Sequence, residues 1–238
     1  MQQINYNIKR TNLYESVAEH IEEMILHDAS QVGQKLPSEQ TLAANFGVSR
    51  NVIRESLKIL KERQLISVQV GEGAYIKKPD DQSMTDMLNR VVMMDSIDPI
   101  KIYEMRSILE VNACRLAAAN VNARDDIDRL EKINEQMRLY KDDIDKRIEL
   151  DMEFHSVITH MSGNPLLELF ERSIAKLVSP VIRTALLPSS GSEDGIRDHQ
   201  IMIDVLRDGD SERAAELMSE HLRKSTQNYL DGQNIQGR

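Results

Sequence analysis

The sequence predicts a mainly α-helical protein in two domains, a small winged helix-turn-helix followed by an all-α antiparallel helical bundle. Three observations carry that expectation. Within the first 78 residues a short helix, a glycine turn and a second capped helix precede two β-prone runs set around Gly71-Glu72-Gly73. That is the spacing of a helix-turn-helix with a small β-hairpin wing. From Met84 onward apolar residues recur at helical spacing and no strand pattern returns. Aromatics make up only 4% of the 238 residues, with no Trp, so the core must be built from Leu, Ile, Ala and Met, which suit helices better than sheets.

Taken in order, a first helix is expected from Thr11 to His27, with Val17, Ile21, Met24 and Ile25 as its apolar stripe. The turn-rich Gly33-Gln34-Lys35-Leu36-Pro37 ends it. Ser38 is a good N-cap for a short helix bearing Leu42, Ala43 and Phe46, which Gly47 stops. Ser49 caps a longer helix through Arg63, and Ile66–Val70 with Ala74–Ile76 form the hairpin. Residues 1–78 are thus one domain and 79–83, containing Pro79, a linker. Residues 84–232 form the helical domain and 233–238 a tail. Within the second domain helices are expected over Met84–Met94, Ile100–Asn120, Asp125–Lys141, Ile144–Met161, Pro165–Leu187, Ile196–Asp208 and Ser211–Asp231. Pro180 is expected to kink the fifth of these, and Pro188–Ser192 reads as a flexible loop.

Bulk properties narrow the function classes. The net charge of −9 is unevenly placed: residues 1–78 hold 10 basic against 9 acidic residues, and the other 160 hold 20 against 30. An overall acidic chain can still meet phosphates if basic residues cluster locally. The single Cys114 excludes an internal disulfide framework and suits a reducing compartment. No apolar run reaches the roughly 20 residues a membrane span needs, and the start MQQINYNIKR has no apolar signal core. A soluble, cytoplasmic protein with no membrane partner is the expectation.

On the helix after Ser49, Ile53, Leu57 and Leu60 share one face, while Arg50, Arg54, Lys58 and Lys61 share another. An apolar and a cationic face on the second helix of a helix-turn-helix suit insertion into a DNA major groove, N-terminal residues nearest the bases. Arg50 and Arg54 are the candidates for bidentate contacts to guanine. Ser38, Ser49 and Asn51 are candidates for phosphate or base contacts, and Lys58 for phosphate. A solvated basic helix face is the plain alternative. The stretch Leu36–Ile76 closely resembles the N-terminal domain of the GntR family. The shared landmarks include Pro37-Ser38-Glu39, Leu42-Ala43, Gly47-Val48-Ser49-Arg50, Ile53-Arg54-Glu55, Leu65-Ile66 and Gly71-Glu72-Gly73. The resemblance implies that Arg50 and Arg54 contact operator bases or phosphates and that Gly71 lies at the wing tip, in the minor groove. Gln40 and Asn51-Val52 depart from the residues usual there, as does the lack of a basic residue near Val70, which leaves the operator sequence open.

In the second domain the informative residues are polar ones on apolar stripes. Asp151 and His155 share a face with Ile148, Met152 and Ile158; His199 with Met202, Ile203 and Leu206; His221 with Ala214, Leu217 and Met218. Each imidazole alone is explicable as a hydrogen-bonded core residue. Three on three helices, with a carboxylate, make a plausible ligand set for a divalent ion such as Zn, Ni or Mn. His160 falls off the stripe and reads as a surface residue. Arg106 lies on an inward face one turn from Glu110, either as a structural pair or as a guanidinium that holds a ligand carboxylate. The pattern Arg106…Leu109-Glu110…Ala113…Leu116-Ala117-Ala118, Asp151…Phe154-His155, Gly163-Asn164-Pro165, Asp198-His199 and Glu220-His221 resembles the FCD ligand-binding domain of the FadR-type branch of GntR regulators.

That resemblance implies a divalent metal on Asp151, His155, His199 and His221, and a small carboxylate effector, a hydroxy acid or sugar acid, docked on it near Arg106. It implies a homodimer on a near-palindromic operator. Two other readings stay open at this point: a metal sensor for which the ion is the signal, and a metal-dependent hydrolase in which a residue such as Glu153 serves the chemistry.

Overall fold

A computed structural model describes residues 12–28, 31–69, 71–78, 81–187 and 189–236. The chain divides into two compact units, Met1–Asp80 and Asp81–Arg238.

The first unit contains α1 (Leu13–His27), α2 (Glu39–Phe46), α3 (Arg50–Glu62), β1 (Ile66–Gln69) and β2 (Gly73–Ile76). The Ser38 hydroxyl accepts from the Thr41 amide at 3.1 Å and so starts α2. Gly47 ends it in the left-handed region at φ 64°, where a side chain would be strained, and this sets the turn into α3. Ser49 accepts from Val52 N at 3.4 Å to cap α3. The antiparallel hairpin pairs Ile66 with Ile76 and Gln69 with Gly73. Its tip, Gly71, also has positive φ, at 82°. The core joins Val17, Ala18, Ile21, Ile25, Leu42, Ile53, Leu60, Leu65, Ile66 and Ile76, with Leu57 packed against its edge. One sequence expectation shifts and one contact is new. Met24 is 60% exposed, and Ala18 takes its place in the stripe. Ser56 is fully buried and its hydroxyl lies 2.7 Å from the Tyr14 carbonyl, tying α3 to α1. Thr11, expected to open α1, and Val70 of the hairpin lie outside the described residues.

The second unit is helical throughout: α4 (Asp81–Met94), α5 (Ile100–Ala119), a 3-10 turn (Val121–Asp126), α6 (Ile127–Leu139), α7 (Ile144–Met161), α8 (Pro165–Ala185), α9 (Ser189–Asp208) and α10 (Ser211–Gln236). Its centre is α7, whose faces serve two apolar clusters. Leu150, Phe154, Val157, Ile158 and Met161 pack with residues of α5, α6, α9 and α10. Ile148 and Met152 pack with Tyr103, Ile174, Val178, Ile182 and Tyr229. Asp151 and His155 fall between them.

Several boundaries differ from the sequence reading, and the three largest shifts are at the starts of α9 and α4 and the end of α10. The stretch read as a loop from Pro188 to Ser192 is helical from Ser189, because α9 is held against α5, α6 and α10; Pro188 itself lies outside the described residues. The stretch read as a linker to 83 is helical from Asp81, with Gln82 bonded to Asp86 one turn on. The stretch read as a tail from 233 continues α10 to Gln236. Gly232 is a contact point: a Cβ there would overlap the Thr184 carbonyl oxygen of α8. Pro180 lies inside α8.

Because backbone meets backbone at Gly232, Gly232→Ala should cost about 1–3 kcal/mol through overpacking. Gly195→Ala, where nothing lies within 4 Å, should instead stabilise by about 0.5–1 kcal/mol through helix propensity. Chemical denaturation of the two variants checks the contrast, and equal stabilities would contradict the close crossing of α8 and α10.

Candidate metal centre and nucleic-acid interface

Asp151 and His155 are one turn apart on α7, His199 lies on α9 and His221 on α10. One ligand atom from each of the four lies within 4.8 Å of the others. The three imidazoles are buried, at 2%, 0% and 7% exposure. His199 is stacked on the Phe154 ring, 3.9 Å between centroids and 10° from parallel, which fixes its plane. His155 Nε2 and both ring nitrogens of His199 have no hydrogen-bond partner among the described residues. Leaving such groups unsatisfied costs about 1–3 kcal/mol each. His199 Nε2 faces Asp151 Oδ1 at 3.7 Å, too long for a direct hydrogen bond. Burial first, then the neighbouring imidazoles, pushes the His199 pKa well below the ordinary value. Burial, His155 and Arg106 push His221 down to about 3. Buried imidazoles with unpartnered ring nitrogens beside a carboxylate fit a borderline divalent ion.

The groups behind these residues are as ordered as the cluster. Glu110 Oε2 approaches His155 Nδ1 at 2.6 Å, an ion-pair distance without hydrogen-bond alignment. The other carboxylate oxygen accepts from Arg106 Nε at 2.7 Å. Burial favours a neutral Glu110, but Arg106 and His155 outweigh it and hold the carboxyl well below the usual range. Arg106, 2% exposed, also has its guanidinium 5.8 Å from the Tyr103 ring centre. On α9, Asp198 lies 4.0 Å from His221 Nδ1 and accepts from Lys224 Nζ at 2.8 and 2.9 Å.

Two small cavities flank the cluster. Asp151, His199 and His221 line one of about 30 Å³ together with Arg147, Lys224 and Ser225. His155 lines the other, of about 10 Å³, with Arg106, Glu110 and Glu171. Arg106 is bonded to Glu110 and lines the cavity on the His155 side of the cluster. The cations beside the ligand set are Arg147 and Lys224, which the sequence reading passed over. Arg147 stands four residues before Asp151 and Lys224 three after His221, so the helical spacing that found the ligands extends to both. Glu171, whose carboxyl burial and then Glu110 push up to about 7, had no such signal. His160 is exposed beside Glu168.

In the first unit, Ser38, Arg50, Arg54, Lys58 and Gly71 line one cleft between α3 and the wing, of about 800 Å³, with Lys35, Glu39 and Lys61. Ser49 and Asn51 are outside that lining; Ser49 serves as the cap of α3. A cationic helix face and a glycine wing tip thus border one open cleft, the pairing of recognition helix and wing through which winged helix-turn-helix domains meet DNA.

Residues 13–76 match the bacterial regulatory proteins of the gntR family, and residues 101–224 match the FCD domain. The chain belongs to the GntR family, in its FCD branch. This GntR-family chain is 28% identical to the HTH-type transcriptional repressor NanR of Citrobacter rodentium, over 92% of its own length and 85% of that protein's. It is 29% identical to the HTH-type transcriptional regulator LutR of Bacillus subtilis, over 67% of this chain and 73% of the relative. A solved Streptococcus agalactiae GntR structure superposes with a TM-score of 0.70 at 25% identity, covering 90% of this chain and 99% of that one. The family and these relatives are transcriptional regulators, and so is this chain: a DNA-binding regulator, not an enzyme. No helix among its described residues is long and apolar enough to cross a membrane.

The buried histidines make apo-protein stability depend on pH. Below 6.5 the unfolded chain takes up protons at His199 and His221 that the folded chain refuses, for His221 until about pH 3. Glu171 opposes them with one proton, since its folded pKa of about 7 lies above the ordinary 4.5. Two uptakes against one leave a net difference that is a fraction of a proton at pH 6.5 and about one near pH 5, so the loss of stability of chelator-treated protein should steepen toward about 1.4 kcal/mol per pH unit as pH falls to 5. His221→Gln should flatten that slope and Glu171→Gln steepen it. Denaturation at a series of pH values measures both, and a slope unmoved by either substitution would contradict the buried placement.

Proposed function

We propose that this regulator holds a divalent ion, Zn, Ni or Mn, on Asp151, His155, His199 and His221, and that a small carboxylate bound beside it controls operator affinity. The observation that carries the reading is the convergence of those four ligand atoms within 4.8 Å, with the three histidines buried and ring nitrogens of His155 and His199 lacking partners among the described residues. When bound, the ion supplies a Lewis-acidic point for a carboxylate oxygen. Arg147 and Lys224 lining the same cavity supply cationic partners for the rest of the anion. Glu110 and Asp198 orient His155 and His221, as carboxylates behind metal-binding histidines do. Arg106 is a positioning residue in this scheme: it keeps Glu110 ionised and in place.

The DNA-reading half of the proposal assigns Arg50 and Arg54 to base edges and Lys58, Ser38, Ser49, Asn51 and the Gly71 wing tip to the remaining DNA contacts. Two copies of the chain read a near-palindromic operator, each half-site taking one winged domain. The effector alters DNA affinity only if it binds the two spacings of those domains unequally.

Purified protein should carry about one divalent ion per chain, and His199→Ala and His221→Ala should each lose it. Metal analysis checks this, and protein that neither contains an ion nor takes one up on titration would overturn the proposal. A thermal-shift screen of hydroxy acids and sugar acids, run with and without chelator, should give a shift that chelation abolishes. Arg147→Ala should keep the metal and lose the shift. Arg106→Ala should weaken the metal as well, because Glu110 loses its partner; a variant that keeps the metal and loses only the shift would place Arg106 at the effector. Arg50→Ala and Arg54→Ala should each cost about 1–3 kcal/mol in operator affinity, measured by gel shift. Unchanged affinity in both folded variants would reject α3 as the reading helix.

A further inference from the structure

We propose that Glu39 is a specificity-determining residue: one carboxylate orients both reading arginines and withholds part of their charge from the DNA backbone. The inference rests on the assignment of Arg50 and Arg54 to base edges. Glu39 is the first residue of α2, where the Ser38 cap and the Ser38–Thr41 hydroxyl contact of 2.8 Å fix the backbone. Its Oε2 accepts from Arg54 Nε at 2.8 Å and from Arg50 Nη2 at 3.4 Å. The three side chains remain accessible, at 32% for Glu39, 59% for Arg50 and 54% for Arg54. An ion pair this exposed contributes little to folding. Its consequence lies in what it leaves available.

Arg54 is gripped by Nε, so its terminal Nη1 and Nη2 remain as the fork that matches guanine O6 and N7. Two arginines one turn apart repel each other and sample many rotamers when unrestrained. A carboxylate between them limits both. It also halves their net charge, from two cations to a net of one. Binding to phosphates follows net charge and is indifferent to sequence, whereas binding to bases follows the orientation of the fork. Glu39 therefore weakens binding to arbitrary DNA and protects binding to the cognate site, and both effects raise the ratio of the two.

The test uses the full chain. A duplex selected by the wild-type protein from a random pool, and a shuffled duplex of the same composition, are titrated at two salt concentrations with wild type, Glu39→Gln and Glu39→Ala. In both variants affinity for the shuffled duplex should rise, its salt dependence should steepen, and the selected-to-shuffled ratio should fall about tenfold, within the range for loss of one bidentate contact. Arg50→Ala and Arg54→Ala serve as controls. If they lose the selected duplex while the Glu39 variants keep the wild-type ratio, the inference fails and the reading helix stands. If the arginine variants also bind both duplexes as wild type does, the assignment of α3 fails and the inference falls with it. A lowered melting temperature in both Glu39 variants would make the residue structural and overturn the proposal as well.

Discussion

Three imidazoles packed into one helical bundle, with ring nitrogens of His155 and His199 that find no hydrogen bond among the described residues, are the constraint around which the second domain is arranged. Apolar surroundings make that arrangement expensive, and the expense rises if any of the three must carry a proton. His199 is fully buried against Phe154 and His221 lies 4.8 Å from it between ring centres. A domain that held these groups only for packing would be more stable with leucines in their place. With Asp151 on the same focus, they are the residues on which the proposed ion would sit.

That focus explains why the polar residues around it are themselves paired. Arg106, Glu110 and His155 form one line from α5 to α7, and Lys224, Asp198 and His221 form a second between α9 and α10. In each line a cation offsets the carboxylate that approaches the imidazole, so neither carboxylate is a lone buried charge. The two lines meet the cluster from different helices. Movement of α9 or α10 relative to α7 would separate the four ligand atoms, so anything that holds them together also selects one packing of the bundle.

The winged domain shows the same economy at its surface. The turn at Gly47 sets α3 against α2 so that Glu39, at the start of one helix, reaches Arg50 and Arg54 on the other. Capping, turn geometry and the placement of the cationic face are thus one local construction spanning about 25 residues. That is why this half of the molecule was legible in its residues: Ser38, Gly47, Ser49 and the wing glycines each act on their immediate neighbours.

The sequence by itself determined the two-domain helical architecture, the helix-turn-helix with its hairpin, and the inward placement of Asp151, His155, His199 and His221. All of these follow from periodicities and caps that operate within a few residues. Only the tertiary structure decided where those four meet, that Arg106 turns to Glu110 while Arg147 and Lys224 line the adjoining cavity, and that Glu39 bridges two arginines 11 and 15 positions away. It also decided that Gly232 is a crossing point inside α10 and that α9 begins at Ser189. The physical reason is the same throughout. Local propensities differ by less than about 1 kcal/mol per residue, so helix–helix packing settles boundaries. A side chain's partner depends on which helices lie alongside it, which spacing along a single helix does not encode.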